Sequence, residues 1–221
     1  MKNLLFAYCL FALIPARAAD LYNFRNLGFS TDGLFFAYAN TVVQDGTGFP
    51  HATVSVVNVP NNIVVRTKSL TIKDDSAYEE SAALRRVLPA ANLESYQITP
   101  GENLGNDLGL MKKDDKQASF RTNSKDYSVI LSEDQDDNAV ACADPDKGSK
   151  IITVNLKDSS TQQEVILYSE RYPPFGRYCS YDFKIDKVIT NKNNLVVVLS
   201  YQSPGFEGPD TKYMVVTGRL P

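Results

Sequence analysis

The sequence predicts a mostly β protein whose antiparallel sheets are arranged like a sandwich or a partial propeller, with one helical insertion. Short runs rich in β-branched and aromatic residues recur along the chain, and such residues favour strands. Clusters of Asn, Gly, Pro and Asp separate these runs, as turns require. One segment, over about residues 76–89, has instead the spacing of an amphipathic helix.

The strand predictions follow the chain in order. Asp32 and Gly33 precede the first run, and this dipeptide accepts the positive φ that a tight hairpin turn needs. The runs are bounded by turn residues, which fixes their approximate ends. The predicted strands cover residues 34–38, 53–59, 63–72, 127–131, 151–156, 164–168, 183–189, 195–201 and 213–220.

Residues 76–89 are predicted to form the helix because acidic residues lie in its first turn and basic residues follow. Asp75 or Ser76 would cap its N-terminus, and Pro89 would end it. The stretch over residues 100–116 is rich in Gly, Asp and Lys, and we expect it to form a loop within the domain.

Residues 1–18 have the pattern of a signal peptide. A basic residue precedes an apolar run over residues 4–14, which is about half of the ~20 residues that a membrane-spanning helix needs. The Ala-Arg-Ala that ends at Ala18 supplies the small residues that a signal peptidase recognises. We expect cleavage there and export to the periplasm or the outside of the cell. The alternative is a short N-terminal core helix.

The expected mature chain, residues 19–221, should form one mostly β domain without a transmembrane segment. Cleavage would remove Lys2 and Arg17 from the 23 basic residues, which leaves 21 against 26 acidic residues and a net charge of −5. The charges are scattered along the chain. This mild acidity argues against a nucleic-acid partner, which requires a clustered basic surface.

The cysteine content agrees with export. Cleavage would remove Cys9 and leave the pair Cys142 and Cys179. Two thiols in one small exported domain are expected to form a disulfide. The alternative is that each is a separate buried thiol, because free cysteine packs as a small hydrophobic residue.

Three stretches of sequence carry a family resemblance. They are LGFSTDGLFFAY at residues 27–38, QDGTGFP at residues 44–50 and SPGFEGP at residues 203–209. Together they resemble a family of predicted secreted bacterial proteins whose function is unknown. The resemblance implies export and a shared fold, and it implies no activity.

The first of these stretches also resembles a second group of proteins. Its Ser30, Asp32 and Gly33 look like the Ser-x-Asp-Gly strand-turn-strand of propeller blades in periplasmic Tol-type proteins. A full propeller repeats its motif at intervals of roughly 40 residues. Because the motif occurs once in this chain, we do not expect a full propeller.

Residue types that support catalysis or metal binding are scarce. His51 is the single histidine, and the remaining cysteines are expected to be paired. The chain therefore has too few residues of the right types to favour a Ser-His-Asp, Cys-His or zinc site. The acidic clusters at residues 133–137 and 144–148 offer oxygen ligands but lack the EF-hand spacing, so we expect solvated loops rather than calcium sites. No catalytic residue, metal or cofactor is predicted.

Two loops that contain Gly, Phe and Pro supply the candidate binding residues. If the first and last parts of the chain close one sheet or sandwich, loops 44–51 and 202–210 can emerge from the same end. Their phenylalanines would offer apolar surface, and their acids would orient a cationic or hydrogen-bonding ligand. The alternative is that both rings fill the core. The candidate residues are Asp45, Phe49, His51, Phe206 and Glu207.

Two functions remain open from the sequence. The first is a non-enzymatic exported binding or interaction protein, whose partner is a protein or small ligand in the envelope or outside the cell. The second is a carboxylate-based hydrolase that acts on envelope polymers, which needs two carboxylates at a fixed separation. Acids that converge in a deep cleft would favour the hydrolase, and a flat aromatic patch would favour interaction.

Overall fold

The computed structural model describes residues 19–74, 79–108, 112–136, 142, 147–174, 176–206 and 208–221. In these ranges the chain forms thirteen β-strands, one α-helix and one short 3₁₀ helix. The predicted signal peptide and the predicted cap residues Asp75 and Ser76 lie outside the described residues.

Three antiparallel sheets contain the strands. The first sheet is formed in order by β1 (Asn23–Phe29), β2 (Phe35–Val43), β3 (Pro50–Asn58) and β4 (Ile63–Thr71). The second sheet is formed by β6 (Lys112–Lys113), β7 (Gln117–Thr122), β8 (Lys125–Gln135), β9 (Lys150–Asp158) and β10 (Glu164–Ser169). The third sheet is formed by β5 (Asn106–Asp107), β11 (Tyr181–Asn191), β12 (Asn194–Pro204) and β13 (Pro209–Arg219).

The third sheet packs between the other two. Because successive side chains of a strand point to opposite faces, Val196 and Val198 of β12 join the core shared with the first sheet. Leu195, Val197 and Leu199 join the core shared with the second sheet. Both faces of β12 are therefore buried, which explains why its sequence is a continuous apolar run rather than an alternating one.

The helix α1 (Glu80–Ala91) covers the outer face of the first sheet, where Ala83, Val87 and Ala91 are buried against it. The prediction that Pro89 ends the helix is wrong, because the helix continues to Ala91 and ends at Asn92, whose φ is 52°. Proline removes the hydrogen bond to the carbonyl four residues earlier, that of Arg85. Arg85 and Pro89 both lie on the exposed face of the helix.

The turn between β1 and β2 has the conformation that its sequence predicts. The Ser30 hydroxyl donates to Asp32 Oδ1 over 2.6 Å, and the same oxygen accepts the amide of Leu34 over 2.9 Å. Gly33 has a φ of +76°, and a side chain there would collide with that of Asn194. These hydrogen bonds hold the pKa of Asp32 below its usual value, with the Ser30 hydroxyl as the largest cause.

The mostly β class with antiparallel, sandwich-like sheets and one helix is confirmed. Each predicted strand is present, with its ends shifted by a few residues. The stretch predicted as a loop over residues 100–116 contains the two-residue strands β5 and β6. The disulfide is confirmed, since Cys142 and Cys179 are bonded with their Cα atoms 5.5 Å apart.

Candidate functional site

The loop between β2 and β3 and the loop between β12 and β13 lie side by side, as their predicted placement at one end of the fold requires. Both border one cleft of about 410 Å³, which also includes a residue from the start of the described chain. We call it the acidic cleft, because three of its lining residues are aspartates. It is lined by Asp20, Gln44, Asp45, Gly46, Thr47, Phe206 and Asp210.

A short segment, residues 19–22, connects the two loops, and we call it the strap. Leu21 forms a parallel β-bridge with Thr211, while the amide of Tyr22 donates to the Thr211 carbonyl over 3.0 Å. The amide of Asp20 donates to Asp210 Oδ1 over 3.1 Å. On the other side of the strap, Asp20 Oδ1 accepts a hydrogen bond from the amide of Asp45 over 2.8 Å. The strap therefore fixes the distance between the two loops.

The first loop is closed by its own main chain. The amides of Thr47 and Gly48 donate to the Gln44 carbonyl over 3.3 and 2.7 Å, and the Gln44 amide donates to the Phe49 carbonyl over 3.0 Å. Gly48 has a φ of +70°, a conformation that glycine adopts without strain. The closed loop holds Asp45 at the exposed rim of the cleft.

The second loop brings its backbone unusually close to the side chain of Asp210. A side chain at Gly205 would collide with the Asp210 carboxylate and with the carbonyl of Gly208, so this approach requires glycine. The Asp210 side chain is only 14% exposed, and Lys212 Nζ lies 3.6 Å from its Oδ2. At the tip of the loop, Phe206 is 97% exposed.

The electrostatic environment of the cleft is negative. The pKa of the Tyr22 phenol is raised to about 12, first by burial and then by the carboxylates of Asp20 and Asp210. A cation gains from the same field that disfavours the phenolate. Within the described ranges, no group of three or more His, Cys, Asp or Glu side chains is arranged to hold a metal ion. The carboxylates that line the cleft are groups that attract cations and accept hydrogen bonds.

Two of the five predicted binding residues, Asp45 and Phe206, line the acidic cleft. Phe49 is half-buried and does not line the cleft. Phe206 is almost fully exposed, so the alternative in which both rings fill the core does not hold for Phe206. Glu207 lies outside the described residues.

His51 is held within the first sheet rather than in the cleft. Its Nδ1 lies 2.7 Å from Thr71 Oγ1 and its Nε2 lies 3.1 Å from Thr53 Oγ1. Burial lowers the pKa of the imidazole, Asp20 raises it and Lys212 lowers it. Both ring nitrogens therefore have hydrogen-bond partners within the first sheet.

Sequence reasoning missed Asp20 and Asp210 as members of the site. Asp20 is the second residue after the predicted cleavage position, and no local pattern connects it with a loop 190 residues away. Asp210 falls inside the predicted second loop, at the start of β13. The available signal for Asp210 was an acid at the end of a Gly- and Pro-rich loop, whereas Asp20 required the three-dimensional structure.

A larger cleft, of about 700 Å³, lies at the C-terminal end of α1. Its lining includes Leu93 and Ile98, which are buried in the core between helix and sheet. Thr31 Oγ1 donates to Gln97 Oε1 over 2.7 Å across it. Glu94 is the one charged residue among those that line it. We favour the smaller acidic cleft as the candidate site because its charges and exposed ring specify a ligand chemistry.

Comparison with known proteins agrees with the export that the sequence predicts. No helix in the described part of the chain is both long and apolar enough to cross a membrane. No curated protein matches the sequence. Residues 37–219 match the family described as "Predicted secreted protein (DUF2259)". This match covers most of the chain, which therefore belongs to this family of predicted secreted proteins of unknown function.

Proposed function

We propose that the protein is a non-enzymatic exported binding protein, and that its acidic cleft takes a cationic group of a partner while Phe206 supplies the apolar contact. The observation that carries the proposal is the 97% exposure of Phe206 beside a cleft lined by Asp20, Asp45 and Asp210. The site is formed by two loops and the strap, which the fold holds in a fixed arrangement.

The exposed ring is suited to be an anchor in an interface. Full burial of a phenylalanine side chain on binding is worth about 1.5–3 kcal/mol. Aromatic residues are also enriched among the few side chains that supply most of the binding energy of an interface. Phe206 is free to enter a pocket of a partner, because nearly all of its surface is open to solvent.

The aspartates determine which partner fits. Three carboxylates line the cleft, and Lys212 pairs with one of them. The remaining negative charge favours Lys or Arg side chains of a partner protein or peptide. Such charges at the edge of an interface increase the association rate and make it dependent on salt.

The contacts of the aspartates support binding over hydrolysis. Asp20 Oδ1 accepts the Asp45 amide, and Asp210 Oδ1 accepts the Asp20 amide. These two carboxylates therefore hold the loops in place. A hydrolase needs one carboxylate as an acid and a second as a base or nucleophile.

Capture experiments with matched variants test this proposal. The protein would be used as bait in envelope extract and in growth medium, with bound proteins identified by mass spectrometry. The Asp45→Ala/Phe206→Ala variant should lose a salt-sensitive, basic partner and keep its melting temperature. The control variant Asp134→Ala/Tyr172→Ala removes an exposed acid and a 53% exposed ring outside the cleft, and it should keep the partner.

Two results would contradict the proposal. Equal capture by both variants would show that the cleft does not carry the interaction. Soluble fragments released from envelope polymers by the wild-type protein, and lost in Asp20→Asn, would instead support the carboxylate hydrolase.

A further inference from the structure

Ala19, the residue that would begin the chain after the predicted cleavage, lies beside the acidic cleft. The amide nitrogen of Asp20 lies 3.1 Å from Asp210 Oδ1. One residue spans at most about 3.6 Å of backbone, so the nitrogen of Ala19 lies within about 7 Å of the same oxygen. A Cβ atom at Gly208 would be 3.7 Å from that of Ala19, so Ala19 packs against the second loop.

We propose that the acidic cleft contains a subsite for the α-ammonium group that cleavage after Ala18 creates at Ala19. The inference rests on that predicted cleavage and concerns the cleft of the proposed function. The subsite is formed by the carboxylates of Asp20 and Asp210, with Asp45 on the opposite loop. The subsite is therefore occupied only in the exported chain, because the ammonium group forms only when the predicted signal peptide is removed.

The chemistry of cleavage changes one group at this position. Water adds across the Ala18–Ala19 peptide bond, so that Ala18 leaves as a carboxylic acid and Ala19 becomes an amine. Near neutral pH the acid releases its proton and the amine takes up a proton. A neutral amide with one hydrogen is thereby replaced by a cation with three hydrogen-bond donors.

The attraction between this cation and the nearby carboxylates should stabilise the strap in the cleaved chain relative to the uncleaved chain. Opposite charges within about 7 Å attract, and the attraction is larger beside a carboxylate that is shielded from water. The Asp210 side chain is 14% exposed. Lys212 opposes the ammonium in part, since it pairs with the other oxygen of Asp210. The net effect should hold the strap, and with it both loops, more firmly.

The subsite can be tested without a ligand. One version of the protein would begin at Ala19, released from a cleavable fusion, and another would carry Gly-Ser before Ala19. The α-amino pKa of Ala19 would be measured by NMR after isotope labelling. We expect it to lie at least about half a unit above the ordinary range of ~7.7–8.0 in the folded chain. Asp210→Asn, whose side-chain oxygen can still accept the Asp20 amide, should return it towards that range.

Hydrogen exchange supplies the second measurement. The amides of Tyr22 and Thr211 hold the strap in place and should exchange several-fold faster in the extended version at pH 7. A raised ammonium pKa stabilises the fold below about pH 7.7, and this gain is lost as the pH rises through the raised pKa. The difference in exchange between the versions should therefore disappear at high pH.

The outcomes separate this inference from the proposed function. An ordinary α-amino pKa in the folded chain, or equal exchange in both versions, would overturn the subsite. A raised pKa together with failure to bind basic partners would support the subsite and overturn the proposed function alone.

Discussion

The main-chain amide of Asp45 donates a 2.8 Å hydrogen bond to Oδ1 of Asp20, which precedes it by 25 residues. The same aspartate donates its own amide to Asp210, 190 residues further along the chain. Asp20 thus lies between two loops that are far apart along the chain. This single residue connects the predicted start of the mature chain with the candidate binding site.

The exported protein should begin at Ala19. Ala16 and Ala18 supply the small residues that a signal peptidase recognises, and this cut leaves the strap intact. N-terminal sequencing of exported material checks the prediction. The variant Ala18→Arg should accumulate uncleaved precursor, and exported wild-type protein that starts at Met1 would contradict the account.

Loss of the disulfide should destabilise the fold strongly. Cys142 and Cys179 are separated by 37 residues, and the chain-entropy relation for a loop of this length gives about 4 kcal/mol. Urea unfolding of the Cys142→Ser/Cys179→Ser variant should show this loss in the free energy of unfolding. Wild-type protein with a reductant provides the comparison, and a loss below about 1 kcal/mol in both would show that the crosslink contributes little.

The buried ion pair of Glu170 and Arg177 should be essential for stability. Their side chains are 2% and 7% exposed, and Glu170 also accepts the Tyr168 hydroxyl over 2.7 Å. Glu170→Ala leaves the Arg177 charge buried without its partner, which should cost about 3–5 kcal/mol of unfolding free energy.

An exposed pair provides the matched control for that variant. Arg121 and Asp126 form an ion pair with side chains that are 63% and 38% exposed. Asp126→Ala should shift the urea midpoint far less than Glu170→Ala, because exposed pairs contribute little. Equal shifts would show that burial of the Glu170 pair does not determine its contribution.

Stability should fall in mild acid because of His51. Burial holds the pKa of His51 below its usual value of 6.5 in the folded chain. The unfolded state therefore binds more protons as the pH falls below about 6.5, and the free energy of unfolding decreases. His51→Gln should reduce the loss of stability between about pH 7 and pH 5, as measured by urea unfolding. An unchanged loss would exclude His51 as its source.

The fold class could be predicted because strand-forming runs and turn residues are local signals. The continuous apolar run of β12 was recognisable as a strand, although its burial on both faces depends on two other sheets. The strand β1 was missed because it carries polar residues and a bulge at Gly28. Gly28 has a φ of +114° and packs against the carbonyl of Glu102, a contact that no local pattern encodes.

Only part of the candidate cleft could be predicted from the sequence. Asp45 and Phe206 were proposed from the composition of the two loops, and both line the cleft that these loops border. Asp20 depends on the parallel bridge between Leu21 and Thr211, which joins the two ends of the described chain. Pairing between residues so far apart in the chain has no local sequence pattern from which it could be predicted.

Titration of a defined cationic peptide is the most direct test of the account. Acetylated trilysine amide would be added to ¹⁵N-labelled protein at low salt, and backbone amide shifts would be mapped. The account predicts shifts concentrated at Asp20, at residues 44–47 and at Phe206 and Asp210, which weaken in Asp45→Ala and with added salt. The absence of saturable shifts there, or equal shifts in Asp45→Ala, would contradict the claim that this cleft binds cations.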